Sequence, residues 1–203
     1  MEALLLGADR LRHTIEGAVE AMGAMTAARD PYTAGHEKRA TELAVAIATA
    51  LGRDEAAIEG LRLAGLVHDV GKLTVPAEIL IKPSRLTPIE FELIKGHAAA
   101  AHDILDPIDF EYPVAAIVVQ HHERLDGSGY PAGLKRDEIL PDARILAVAD
   151  VVEAMASHRP YRAALGLDAA LAEVRVGAGT RYDAEAAGAC ERVFAGGFAF
   201  SDA

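Results

Sequence analysis

His121 and His122 stand side by side at the end of an apolar run, Val114-Ala115-Ala116-Ile117-Val118-Val119, and a glycine-rich stretch follows them. Neighbouring side chains on a helix diverge by about 100°, so two consecutive histidines cannot share one narrow face of a core helix. They can reach two metal ions held side by side, one imidazole each. Other ligand-type residues fall at the ends or apolar faces of periodic segments: His36, the pair His68-Asp69, His97 and Asp150. Asp150 is the only charge between Ile145 and Val152, and a carboxylate buried without a partner is costly. One histidine on an apolar face is ordinarily a satisfied core residue. Five of them with two aspartates point to a metal site.

Imidazoles and carboxylates without thiolates suit manganese, iron, zinc or nickel rather than calcium. The donors also outnumber the needs of one catalytic metal. Two ions about 3.5–4 Å apart, bridged by an aspartate and a hydroxide, are the arrangement used for phosphoester hydrolysis. Phosphodiester or phosphomonoester hydrolysis is therefore the chemistry to expect.

The elements that must position these groups read as helices. Leu4, Ala8, Leu11, Ile15, Ala18, Met22 and Met25 form a heptad-like stripe, which predicts a first helix packed on its own domain or on a second copy. Asp30-Pro31 breaks that pattern. A second helix runs from about His36 to Leu51 and meets Gly52, and a third begins near Asp54, a good N-cap. Thr87-Pro88-Ile89-Glu90 is a helix start with a capping box, and Ile94, His97, Ala101 and Leu105 continue it at helical spacing. Another helix begins near Pro113 and ends in His121-His122. Ala143 to Val152 is apolar nearly all round, the mark of a buried helix. Two shorter helical patterns follow Asp168 and Asp183. No long alternating run, sequence repeat or low-complexity tract appears. The predicted class is all-α, a single compact helical bundle with an additional N-terminal helix.

Composition narrows the function classes. A chain of 203 residues, half of them apolar, can build a sizeable core. The lone Cys190 excludes an internal disulfide and a thiolate zinc site. A net charge of −11 disfavours binding to a nucleic-acid duplex, which calls for a basic stripe, but bound divalent metals can still attract a small anion. No apolar run reaches the length of a bilayer span, and Leu4-Leu5-Leu6 is too short for a signal-peptide core. A cytoplasmic protein is expected.

His68-Asp69-Val70-Gly71-Lys72, His121-His122 and Gly129-Tyr130-Pro131 together resemble the HD-GYP branch of the HD phosphohydrolase superfamily. Asp30-Pro31-Tyr32-Thr33-Ala34-Gly35-His36, Val148-Ala149-Asp150, Arg159-Pro160-Tyr161-Arg162 and Gly177 to Asp183 add to the likeness, which covers about residues 25–196. The resemblance implies a bacterial cyclic di-GMP phosphodiesterase yielding pGpG, GMP or both. The stripe gives an N-terminal helix over 1–27 that could dimerise or signal, and the resemblance implies a catalytic domain over 28–200. His36, His68, Asp69, His97, His121, His122 and Asp150 match the family's metal ligands, with Asp69 bridging. Lys72, Gly129, Tyr130, Pro131, Arg159 and Arg162 match its substrate-contacting segments.

Some relatives carry a glutamate at the position of Tyr32 and bind three metals. A phenol is a poor ligand, so two divalent ions are expected here, iron or manganese first, with zinc, nickel, cobalt or magnesium as substitutes. A hydroxide bridging them would attack phosphorus. Lys72, three residues beyond Asp69, would neutralise developing charge, and Arg159 and Arg162 could hold phosphates by paired hydrogen bonds. Gly127, Gly129 and Gly133 permit close backbone approach to a ligand, and Tyr130 can stack on guanine. Expected partners are cyclic di-GMP, a diguanylate cyclase or other signalling domains, and a second copy through the first helix. Two other readings stay open: a cyclic di-GMP-responsive interaction module with little turnover, and a phosphohydrolase for another nucleotide.

Overall fold

Capping side chains written into the sequence set the starts of three of the described helices. A computed structural model of the chain describes residues 2–30, 35–157 and 164–201. Its helices are α1 (Glu2–Arg29), α2 (His36–Ala50), α3 (Glu55–Val67), α4 (Ala77–Leu80), α5 (Pro88–Lys95), α6 (His97–Leu105), α7 (Val114–Gln120), α8 (Pro141–Ala156), α9 (Leu167–Gly177) and α10 (Ala184–Ala195). Short 3-10 turns occupy Val70–Thr74 and Arg136–Glu138, and no strand occurs among the described residues. The fold is all-α.

Asp54 accepts from the Ala57 amide at 2.8 Å and starts α3. The Thr87–Glu90 capping box starts α5, with Pro88 in its first position. Asp183 caps α10 through the amides of Glu185 and Ala186. Each cap satisfies amides that the helix itself leaves without acceptors.

The core gathers around α2, α3 and α8, with α7, α9 and α10 packed against them. Leu43 and Ile47 of α2, Leu61 of α3, Ile117 of α7 and Leu146 and Val152 of α8 are fully buried. Arg53, between α2 and α3, makes a two-pronged contact with Asp142 in the first turn of α8, at 3.1 and 3.0 Å, and Tyr112 donates to the same carboxylate at 2.6 Å. Close approach matters most at Gly71. A Cβ there would fall 1.9 Å from the His97 carbonyl oxygen, so glycine alone lets the Val70–Thr74 turn lie against the start of α6.

One expectation changes. The helix begun at Thr87 does not run through His97: α5 stops and α6 restarts at Gly96, which places His97 in a first turn. Of the described side chains in the α1 stripe, Met22 packs against the core. Val19, Thr26 and Asp30 are buried, whereas Ile15 and Met25 are 42% and 61% exposed. α1 packs against α3 and the first 3-10 turn. Among the described residues no helix is long and apolar enough to cross a membrane.

Candidate metal centre

Helix ends deliver the donor side chains to one place. His36 opens α2, His68 and Asp69 follow α3, His97 opens α6, and His121 and His122 follow α7. Asp150 comes from the buried face of α8. The ligand atoms of His36, His68 and Asp69 lie within 4.8 Å of one another, and so do those of His97, His121 and His122. Both adjacent histidines thus fall in one group rather than one in each. Their rings are 3.9 Å apart.

Two carboxylates tie the groups together. Asp69 turns Oδ2 toward His68 Nε2 at 3.6 Å and Oδ1 toward His97 Nε2 at 3.5 Å. Asp150 turns Oδ1 toward His36 Nε2 at 3.2 Å and Oδ2 toward His122 Nδ1 at 3.7 Å. Each carboxylate therefore offers one oxygen to either side.

The imidazoles are oriented from behind. Nδ1 of His68, His97 and His121 donates to the carbonyl three residues earlier, at Gly65, Ile94 and Val118 (2.7, 2.7 and 2.5 Å). That leaves Nε2 as the lone-pair nitrogen. His36 is held instead by the buried carboxylate of Glu153 at its Nδ1. Glu153 accepts in turn from Arg39 Nε at 2.7 Å and Ser157 Oγ at 2.6 Å.

This donor set fits divalent cations. His97 Nε2 and His121 Nε2 bring two lone pairs to 3.5 Å, and His68 Nε2 is buried with no hydrogen-bond partner. Buried polar atoms are seldom left so, and one cation in each group would satisfy them. Burial, reinforced by His68 and His97, pushes the His121 pKa down to about 3. Burial also lowers His97 and His122, so these rings are neutral, the form that binds metal. Burial alone would raise the two aspartates. The Lys72 ammonium and nearby histidines outweigh it at Asp69, and the His36 hydrogen bond with the surrounding imidazoles does so at Asp150, holding both well below the ordinary range.

A cavity of about 340 Å³ opens over the cluster, lined by His36, Asp69, Lys72, His97, His122 and Tyr130 among others. A larger one, about 570 Å³, between α1, α2 and α3 reaches none of the seven donors; chemistry rather than size picks out the first. Lys72 Nζ lies 2.7 Å from Asp69 Oδ2 and 3.7 Å from Asp30 Oδ2. The Tyr130 ring lies over His122, centroids 4.6 Å apart and tilted by 36°. Burial, then the Asp150 and Asp69 charges, raise its pKa, so the phenol stays neutral.

Gly129 is required sterically, because a Cβ would stand 2.4 Å from both Glu123 Cα and the Arg124 nitrogen. Pro131 follows Tyr130 through a cis peptide bond. Arg159, Arg162 and Tyr32 lie outside the described residues. Sequence reasoning missed Glu153 and Glu123. Glu153 had a signal, as a further acid three residues beyond Asp150 on an otherwise apolar helix. Glu123 had none, because its position reads as the start of a surface loop.

The HD domain family matches residues 20–186. The chain is 40% identical over 171 residues to a 3'3'-cGAMP-specific phosphodiesterase of Vibrio cholerae, covering 84% of this chain and 37% of that protein. It is 39% identical over 171 residues to a cyclic di-GMP phosphodiesterase of Thermotoga maritima, covering 82% and 46%. Among solved structures, Bd1817, a HDG"Y"P protein from Bdellovibrio bacteriovorus, aligns with a TM-score of 0.65 at 20% identity over 79% of this chain and 51% of that one, a shared fold. The chain spans less than half the length of the two curated relatives.

Proposed function

This chain belongs to the HD domain family, and on that premise we propose that it hydrolyses a cyclic dinucleotide, cyclic di-GMP first, to pGpG or on to GMP. The observation that carries this reading is the pair of carboxylates, each offering one oxygen to either histidine group. His36, His68 and Asp69 would hold one divalent cation and His97, His121 and His122 the other, with Asp69 and Asp150 spanning both. Such cations, iron or manganese foremost, supply a nucleophile from water at neutral pH and withdraw charge from a phosphate.

The chain's own residues do the rest. Lys72, on the cavity wall beside Asp69, places a positive charge where the phosphate gathers negative charge. Tyr130 keeps its proton and can donate it in a hydrogen bond, while the ring face turned from His122 can meet a base. Gly129 and Pro131 shape that wall, and Arg159 and Arg162 would clamp the phosphates. In the reaction the oxygen of water bonds to phosphorus, the bond from phosphorus to the 3′ oxygen breaks, and that oxygen gains the proton.

The name of the Vibrio relative favours 3'3'-cGAMP as a second substrate. Residues 1–27 would serve as a dimerising or signalling helix, a reading supported by the outward-facing Ile15 and Met25 of α1; a monomeric mass in solution would overturn it.

The test is turnover of both cyclic dinucleotides by protein purified without oxygen, with metal content measured on the same sample and Asp69→Ala beside it. Turnover that needs about two metals per chain and disappears in the variant is expected. Metal-loaded protein that binds cyclic di-GMP and leaves it intact would point to an interaction module. Protein that neither binds nor cleaves it would mark another phosphoester as the substrate.

A further inference from the structure

Glu123 follows the donor His122 directly in the chain, yet its side chain turns away from the metal cluster. It is buried, 2% exposed, and the hydrogen bonds it accepts come from main chain. Oε1 takes the amides of Ala132 and Gly133 at 2.7 and 3.1 Å, and Oε2 takes the amide of Leu134 at 3.0 Å. Three successive amides around Gly133, whose φ is +67°, make a concave nest of the kind that binds anions. Here the anion is internal. A carboxylate is suited to this place because each oxygen can accept from more than one donor.

The same contacts bring residues 129–134 back over 122–124. The Tyr130 amide donates to the His122 carbonyl at 3.3 Å, Gly129 rests on the Glu123 backbone, and Tyr130 stacks on His122. Tyr130 thus hangs between two fixings, the single amide bond before it and the nest just after it. We infer that Glu123 is a positioning residue: its carboxylate holds the Tyr130–Leu134 segment so that the Tyr130 ring forms one wall of the substrate pocket. The inference rests on the proposed function for the identity of the substrate, but not for the anchoring itself.

Glu123→Gln separates anchoring from bulk. The amide keeps the volume but turns an NH2 group toward one side of the nest, opposing a main-chain donor with a donor. Two measurements decide, both on metal-loaded full chain. Amide hydrogen exchange at Ala132, Gly133 and Leu134 is expected to quicken about tenfold, the scale of one charge-assisted hydrogen bond, while amides of α8 keep their protection. KM for cyclic di-GMP is expected to rise by about the same factor, with kcat and metal content kept. In a Tyr130→Ala background the further change should add nothing to KM, because both act through one ring.

Unchanged exchange at the three amides would overturn the inference. So would an undiminished KM effect in the Tyr130→Ala background, or loss of kcat and metal together at constant KM. If the unaltered protein does not process cyclic di-GMP, the functional proposal fails while the exchange measurement still decides the anchoring.

Discussion

Three of the five histidines on the floor of the pocket take their orientation from carbonyls three residues back, whereas the wall that carries Tyr130 hangs from one carboxylate. On the floor, three rings repeat the same contact at three different helix ends. That contact uses only main chain that the helices already provide. On the wall, residues between Glu123 and Pro141 have almost no regular structure beyond the short Arg136–Glu138 turn. Their shape depends on Glu123, on the absence of a side chain at Gly129 and on the left-handed Gly133. Donor geometry is thus built redundantly, and the geometry of the Tyr130 wall is built on few residues. Damage to the floor should appear in the metal, and damage to the wall in KM.

The largest break in that contrast comes from a floor carboxylate. Asp69→Ala should cost roughly a thousandfold in turnover, the rate equivalent of losing several kcal/mol of metal-assisted stabilisation, and metal analysis should show a reduced content. Retained metal with lost turnover would show that the two groups do not depend on a shared oxygen.

Acid is the next strongest probe of the floor. In the metal-free protein the folded His121 pKa is depressed to about 3 from an ordinary 6.5. The unfolded chain then binds a proton that the folded chain refuses. Stability from the neutral ring is present above about pH 6.5 and falls as pH drops toward 3. His97 and His122 shift in the same direction. Denaturant melts of metal-free protein across that range should show a steady loss on acidification.

Glu153→Gln tests His36, the floor histidine held at Nδ1 by a buried carboxylate in place of a carbonyl. Metal affinity should fall about 10- to 100-fold, read by competition with a chelator, with KM for substrate hardly moved. On the wall, Gly129→Ala should cost about 1–3 kcal/mol through crowding against Glu123. It should raise KM and leave metal content intact, so metal loss in that variant would dissolve the distinction between floor and wall. Smallest of all, Thr87→Ala removes a cap outside both regions. About 1 kcal/mol of stability should go, visible in thermal melts, with turnover unchanged.

What could be read from the chain follows the same division. His36, His68, Asp69, His97, His121, His122 and Asp150 were legible because donor side chains at helix ends and apolar faces are conspicuous by type. Asp54, Thr87 and Asp183 were legible because capping is local. Glu153 was harder: its partner His36 lies 117 positions away. Glu123 was hidden for a different reason, since its partners are amides, which every residue except proline has. The exposure of Ile15 and Met25 on α1 was not legible, because periodicity shows that a helix has an apolar stripe, not which neighbour it will meet. The break at Gly96 needed the packing of the Val70–Thr74 turn on α6, a contact between distant segments.

The seven donors enter the cluster from chain positions as far apart as 36 and 150, so a cation held there acts as a cross-link through the middle of the fold. Binding to the folded chain alone adds RT ln(1 + [L]/Kd) to its stability, about 2.7 kcal/mol when the free ion stands at a hundred times its Kd. A metal held there would make the melting temperature a readout of the free ion, and a chelator would then act as a denaturant.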